Sequence, residues 1–283
     1  IAVAFPRNPL QLAYQAWDLQ RYSQGHFMLG LGSQIRAHIE NRFGVAFDPP
    51  APRMRDYVSA LKAIFRCWQY DEPLHYEGRF YRHTLMTPMF NPGPNPHGIP
   101  PVLMGALGPK MTEVAGAVAD GLIAHPFSNE AFIREQTLPA VEKGLASGGR
   151  SRADFTLQIN AMVITGETAE QRSAARESVR QLLGFYASTP AYRPPMAAIG
   201  KEDLQPELNR LSKAGEWDRL ADYIDDDFIA AFAVEAPPES VAERLLARYG
   251  DLADRLALYI PYAAPDGMWR RVIADLHEQS GGR

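Results

Sequence analysis

Cysteine is almost absent from this chain, with Cys67 standing alone. A single thiol excludes an internal disulfide framework and any paired-cysteine metal site. Cys67 falls within an apolar helical pattern and reads as a buried, inert thiol. No apolar run approaches the length of a membrane span, and no basic-then-apolar segment opens the chain. Charge of one sign is not in excess either. The 29 Lys and Arg residues against 33 Asp and Glu leave a net charge of -4, which argues against a nucleic-acid groove or a membrane-surface patch. Walker, GxGxxG, HExxH and GxSxG sequences are missing, as are internal repeats and low-complexity tracts. These exclusions leave a soluble cytoplasmic protein as the default, with no nucleic-acid, membrane or metal partner expected. Its composition, 46% hydrophobic over 283 residues, is ample for a large core.

What is present is an alternation of strands and helices. Short apolar runs at 1–5, 27–31, 102–104, 122–124, 155–164 and 256–260 predict strands. Their lack of in-out alternation suits a parallel sheet buried on both faces. Amphipathic stretches at 54–68, 109–119, 129–145, 169–187, 238–249 and 268–278 predict helices between them. Asn8, Pro9 and Gln11 predict a capped helix start, with Gly25 beyond its end. "HYEGRFYRH", residues 75–83, predicts a small hairpin around Gly78. Residues 188–236, rich in proline and short helical pieces, read as an insertion or lid. Because the chain opens inside a strand-like run, the six strand–helix units read best as the last six of a (β/α)8 TIM barrel. A single domain over 1–283, lacking the first two units, is expected.

In a parallel barrel, ligands gather at the carboxyl ends of the strands. Those ends carry Pro6-Arg7-Asn8, Gly32-Ser33-Gln34, "GALGPKMT" over 105–112, His125-Pro126, and Tyr259 with Tyr262. Gly105 and Gly108 would let backbone approach a ligand closely. Pro109 suits the first helical position, whose free N–H groups favour phosphate; Lys110 and Thr112 add a charge and a hydroxyl. Taken alone, this is also how an ordinary strand-to-helix turn reads. His38 serves equally as a hydrogen-bond donor or a solvent-facing residue. His125, backed by Pro126, is placed to act as a general acid or donor, with a loop-bonded structural role as the competing reading. Arg7 and Arg193 suit anionic groups or surface carboxylates. Asp225-Asp226-Asp227 reads as a solvated helix start. Tyr186, Tyr192, Tyr259 and Tyr262 suit an aromatic pocket or simple packing.

The set "FPRNPLQLAYQAWDLQRYSQGHFMLGLGS", "FGVAF", "RMRDYVSALKAIF", "YEGRFY", "PPVLMGALGPKMTEVAGAVADGL" and "DRLALYIPY" resembles the luciferase-like monooxygenase family, in its branch using the deazaflavin coenzyme F420. The order and spacing match across nearly the whole chain. The resemblance implies a barrel with a flavin or deazaflavin at its mouth, FMN being the alternative cofactor. It implies that Gly32, Ser33 and His38 lie near the ring or ribityl chain. It also implies that Gly105, Ala106, Leu107, Gly108, Pro109 and Lys110 hold the phosphate. Ile1 and Ala2 would be the remnant of a strand that often carries a cis peptide behind the ring. His125, or His38, would supply a proton as hydride moves, and a homodimer would fit the family. The family's Ser-Gly-Gly-Arg turn is replaced here by Ser23-Gln24-Gly25-His26. Two further readings stay open: a reduced-FMN monooxygenase, and a catalytically inert flavin-binding protein or fragment.

Overall fold

The computed structural model describes residues 1–281. In chain order it runs β1 (Ala2–Val3), α1 (Pro9–Tyr22), β2 (Leu29–Gly32), α2 (Pro50–Tyr70), β3 (Tyr76–Glu77), β4 (Arg82–His83), β5 (Val102–Ala106) and α3 (Pro109–Val118). Then come β6 (Gly121–Ala124), α4 (Glu130–Phe132), α5 (Leu138–Ser147), β7 (Thr156–Ile164) and α6 (Ala169–Ala187). The chain continues through α7 (Arg193–Ala197), α8 (Gln205–Ala214), α9 (Asp226–Phe232), β8 (Ala233–Glu235), α10 (Pro238–Tyr249), β9 (Arg255–Tyr259) and α11 (Asp266–Gln279). By its internal contacts it divides into two compact units, residues 1–123 with 139–156, and residues 124–138 with 157 onward.

In the first unit β2 pairs in parallel with β1 on one side and β5 on the other. Asn8 caps α1 by accepting the Leu10 N–H at 2.8 Å. Asn8 alone makes the cap and Gln11 does not close it into a capping box; a full capping box forms at Thr168 and Gln171. Beyond Tyr22 the chain turns through Gln24 and Gly25, both at positive φ. Aromatic rings lock α1 to α2: Trp17 stacks on Phe65 at 5.6 Å and meets Trp68 edge-on at 5.4 Å. The amino end of β5 is tied by a carboxylate. Asp120 accepts the Val102 N–H at 2.9 Å and pairs with Lys62 at 2.7 Å.

The predicted hairpin is β3 and β4, antiparallel, with Tyr76 opposite His83. One buried carboxylate holds it. Asp56 on α2 accepts the Tyr76 hydroxyl and the Phe80 N–H in short bonds, and the Tyr81 N–H at 3.1 Å. A Cβ on Gly78 would lie 1.8 Å from the Asp56 carboxylate, so only glycine fits.

In the second unit β7 is long enough to take two parallel partners. It pairs with β9 over Gln158–Met162 and with β8 over Met162–Ile164. Asp254 ties the start of β7 through the Leu157 N–H at 2.7 Å. β8 corrects the sequence reading, which ran the insertion to residue 236; three residues next to Pro237-Pro238 were too few to show as a strand. The rest of 188–232 is packed. Met196, Leu208, Leu211, Leu220, Ile224 and Phe228 join one buried cluster with Phe127, Met162, Val179 and Leu183. Asp225 caps α9 through the Phe228 N–H at 2.8 Å, and Asp226 pairs with Arg176 and Arg180. The acidic triple is therefore a helix start.

Candidate active site

At the carboxyl ends of β2 and β5 the structure brings together residues far apart in sequence. Leu31 is in register with Met104, so Gly32 and Gly105 follow side by side. One side chain records this: Ile1 places Cγ2 3.2 Å from a Cβ built on Gly32 and Cδ1 3.3 Å from one built on Gly105. Its Cγ1 stands 3.2 Å from a Cβ on Gly30. Three glycines thus make a bare backbone face, with Ile1 resting on it and itself 72% exposed. Ala2 sits alongside, in register with Leu31. Ser33 is half-buried and its hydroxyl donates only a long bond, 3.3 Å, to the Gln34 carbonyl. The chain then turns through Gln34 at φ 58°.

Beyond Gly105 and Ala106 the chain passes Leu107 and Gly108 into α3. A Cβ on Gly108 would meet nothing within 4 Å. Pro109 is the first helical residue and has no N–H. The Met111 and Thr112 N–H groups both bond to the Gly108 carbonyl at 3.1 Å, which leaves the Gly108 and Lys110 N–H groups uncommitted. Lys110 is exposed. These residues fit an anionic phosphate: open space, uncommitted backbone donors and one cation at one turn. Thr112 does not contribute as expected. It is fully buried, and its hydroxyl donates to the Gly108 carbonyl at 3.1 Å, bracing the turn from behind. His38 is exposed at the start of a single wide helical turn, His38–Arg42. Arg7 donates to the Val3 carbonyl at 2.8 Å. No cis peptide occurs among the described residues.

His125 follows β6 and lies in the second unit. Its Nδ1 accepts the Phe127 N–H at 3.1 Å, which leaves the ring proton on Nε2. Tyr192 packs against the imidazole at 4.6 Å between centroids and Tyr186 meets it edge-on at 5.1 Å. Burial among these rings lowers its pKa to about 4, because desolvation disfavours the imidazolium. His125 is thus a neutral donor at pH 7. The Tyr186 and Tyr259 hydroxyls share a hydrogen bond of 2.7 Å, and burial followed by that bond raises the pKa of Tyr186. Tyr262 is a staple between backbone groups, donating to the Val163 carbonyl at 2.8 Å and accepting the Thr165 N–H at 3.1 Å. Cys67 is buried on α2, where desolvation raises its pKa.

Residues 1–255 match the profile of the family described as luciferase-like monooxygenase. The chain belongs to the luciferase-like monooxygenase family. A Mycobacterium tuberculosis protein named only as uncharacterized is 46% identical over 256 residues, covering 90% of this chain and 75% of that protein. An F420-dependent glucose-6-phosphate dehydrogenase of Microbacterium testaceum is 28% identical over 235 residues, 82% of this chain and 61% of that one. Among solved structures, the coenzyme F420 dependent tetrahydromethanopterin reductase from Methanopyrus kandleri superposes with a TM-score of 0.74 at 20% identity, over 97% of this chain and 78% of that one. The fold is therefore the α/β TIM barrel of the luciferase-like enzymes, and the chain is an oxidoreductase of that family. Among the described residues no helix is long and apolar enough to cross a membrane.

Proposed function

We propose that this member of the family takes coenzyme F420 and moves hydride between it and a small organic substrate. When bound, the deazaflavin supplies the hydride chemistry at its C5 carbon. The observation that carries the reading is the contact of the single Ile1 side chain with both Gly32 and Gly105. It joins two glycine-rich strand ends beside the open turn at Gly108. In this reading the Gly108 and Lys110 N–H groups and the Lys110 ammonium bind the phosphate, the Ser33 hydroxyl reaches the polar chain next to it, and the flat ring lies against the Ile1 side chain that covers the glycine face. Sequence kinship with an F420-dependent dehydrogenase supports the choice of cofactor.

His125 is proposed to hold a proton at Nε2 and donate a hydrogen bond from it to a substrate oxygen or nitrogen. Its low pKa makes this a neutral donor rather than a charged acid. Substrate would be held by the rings of Tyr186 and Tyr192 that pack against it.

Equilibrium titration with coenzyme F420 and with FMN, each followed by ring fluorescence, tests the cofactor. Saturable binding of the deazaflavin with at least about tenfold weaker FMN, a gap of about 1.4 kcal/mol, is expected. Tight FMN with no deazaflavin binding overturns the reading in favour of a flavin monooxygenase. For His125, the expected result is that His125→Asn lowers turnover while leaving deazaflavin affinity unchanged. Full turnover with an unaltered pH profile removes it from the mechanism.

A further inference from the structure

Next to the 105–110 turn, and within the first unit, lies a groove of about 530 Å³ lined by α2, the hairpin turn and α3. Its floor is apolar, including Phe80 and Val114. Its rim carries three exposed cations: Arg55 from α2, Arg79 from the hairpin turn, and Lys110 from α3. None of the three has an ion-pair partner among the described residues. Neighbouring arginines on the same elements are paired, Arg66 on α2 with Glu72 and Arg82 on β4 with Glu77. The two carboxylates that line the groove are already engaged. Glu113 pairs with Lys143 at 2.9 Å. Asp56 is saturated by Tyr76 and the backbone of Phe80 and Tyr81.

The same Asp56 gives the groove a fixed shape. It ties the hairpin turn to α2 one residue away from Arg55, and only glycine fits at position 78. Arg79 is thereby presented from a pinned turn, its guanidinium 5.0 Å from the Phe80 ring centroid. A rigid, cation-rimmed trough beside a phosphate turn suits an extended anion that continues outward from the phosphate.

We infer that this groove binds a carboxylate-bearing chain attached to the phosphate end of the cofactor, with Arg55 and Arg79 as its specificity residues. The inference rests on the proposed cofactor reading and deepens it. It involves binding only, with no bond made or broken.

The test is a fluorescence titration with two probes: coenzyme F420 carrying its oligoglutamyl tail, and the same deazaflavin ending at the phosphate. Wild type should bind the tailed form more tightly by a factor on the order of ten, as expected for a few partly exposed charge contacts. Added salt should shrink that preference. The double variant Arg55→Gln/Arg79→Gln should lose the preference while its Kd for the tail-less form stays within about twofold, a small change on the tenfold-per-1.4 kcal/mol scale. Equal Kd values for the two probes in wild type overturn the groove assignment and leave the deazaflavin reading intact. Loss of affinity for both probes alike in the double variant also overturns it, since the arginines would then serve the shared part of the ligand. Binding of neither probe overturns the cofactor reading and the inference with it. Calorimetry with inorganic tripolyphosphate separates a second source. If the double variant abolishes its binding while both deazaflavins bind alike, the groove serves a separate anion and the tail assignment fails.

Discussion

Two strand ends in this chain lead into opposite physical states. After β5 the chain enters a turn of bare backbone, where a Cβ on Gly108 would meet nothing within 4 Å and Lys110 is exposed. After β6 it enters His125-Pro126-Phe127, where Phe127 is fully buried and stacks on Phe232 at 4.4 Å. The first turn keeps the Gly108 and Lys110 N–H groups uncommitted and suits an outside ligand. The second spends its Phe127 N–H on His125 Nδ1, which fixes the tautomer of the imidazole, while burial keeps that ring neutral. A strand end is therefore not a site by position alone. What its polar atoms already hold decides what it can do for a ligand.

The comparison can be broken by substitution. The largest expected effect is at the packed turn. Phe127→Ala should cost about 3–5 kcal/mol of stability, the usual range for emptying a buried aromatic site, read from a chemical-denaturation midpoint. A loss below 1 kcal/mol would mean the cluster is looser than its ring contacts state.

The next effect is a pH dependence. The folded-state pKa of His125, about 4, lies below its ordinary value of 6.5. The unfolded chain therefore binds the extra proton first. Stability from the neutral ring is fully present above pH 6.5 and is lost as pH falls toward 4, by up to about 3 kcal/mol. His83, whose pKa burial also lowers, adds in the same direction. His125→Asn keeps an acceptor for the Phe127 N–H and should flatten this slope. An unchanged difference in stability between pH 7.5 and pH 4.5 would contradict the buried-neutral assignment.

At the open turn the expected changes are small. Thr112→Val removes the hydroxyl that braces the Gly108 carbonyl and should cost about 1 kcal/mol. Gly108→Ala, with φ at −70° and free space around it, should change stability by no more than about 0.5 kcal/mol. The same substitution should weaken deazaflavin binding, because the new methyl group stands where the phosphate is proposed to lie. Equal affinity in Gly108→Ala would remove that residue from the cradle.

Much of the fold was legible because its signals are local. The helix 169–187 lies where periodicity placed it, and the hairpin around Gly78 follows from alternation and one glycine. The glycine-rich strand ends were also visible, though only the sheet register shows that Gly32 and Gly105 adjoin. Other features depend on partners distant in sequence. The neutrality of His125 comes from Tyr186 and Tyr192, some sixty residues on. Nothing in the spacing of "YEGRFY" announces that Asp56 fills its turn. The role expected of Thr112 failed for the same reason: a hydroxyl facing a ligand and one facing its own helix share one sequence.

The most direct test of the central claim is a crystal structure of the protein with coenzyme F420. The phosphate should lie within hydrogen-bond reach of the Gly108 and Lys110 N–H groups, about 2.7–3.2 Å. A phosphate seated away from the 105–110 turn would contradict it.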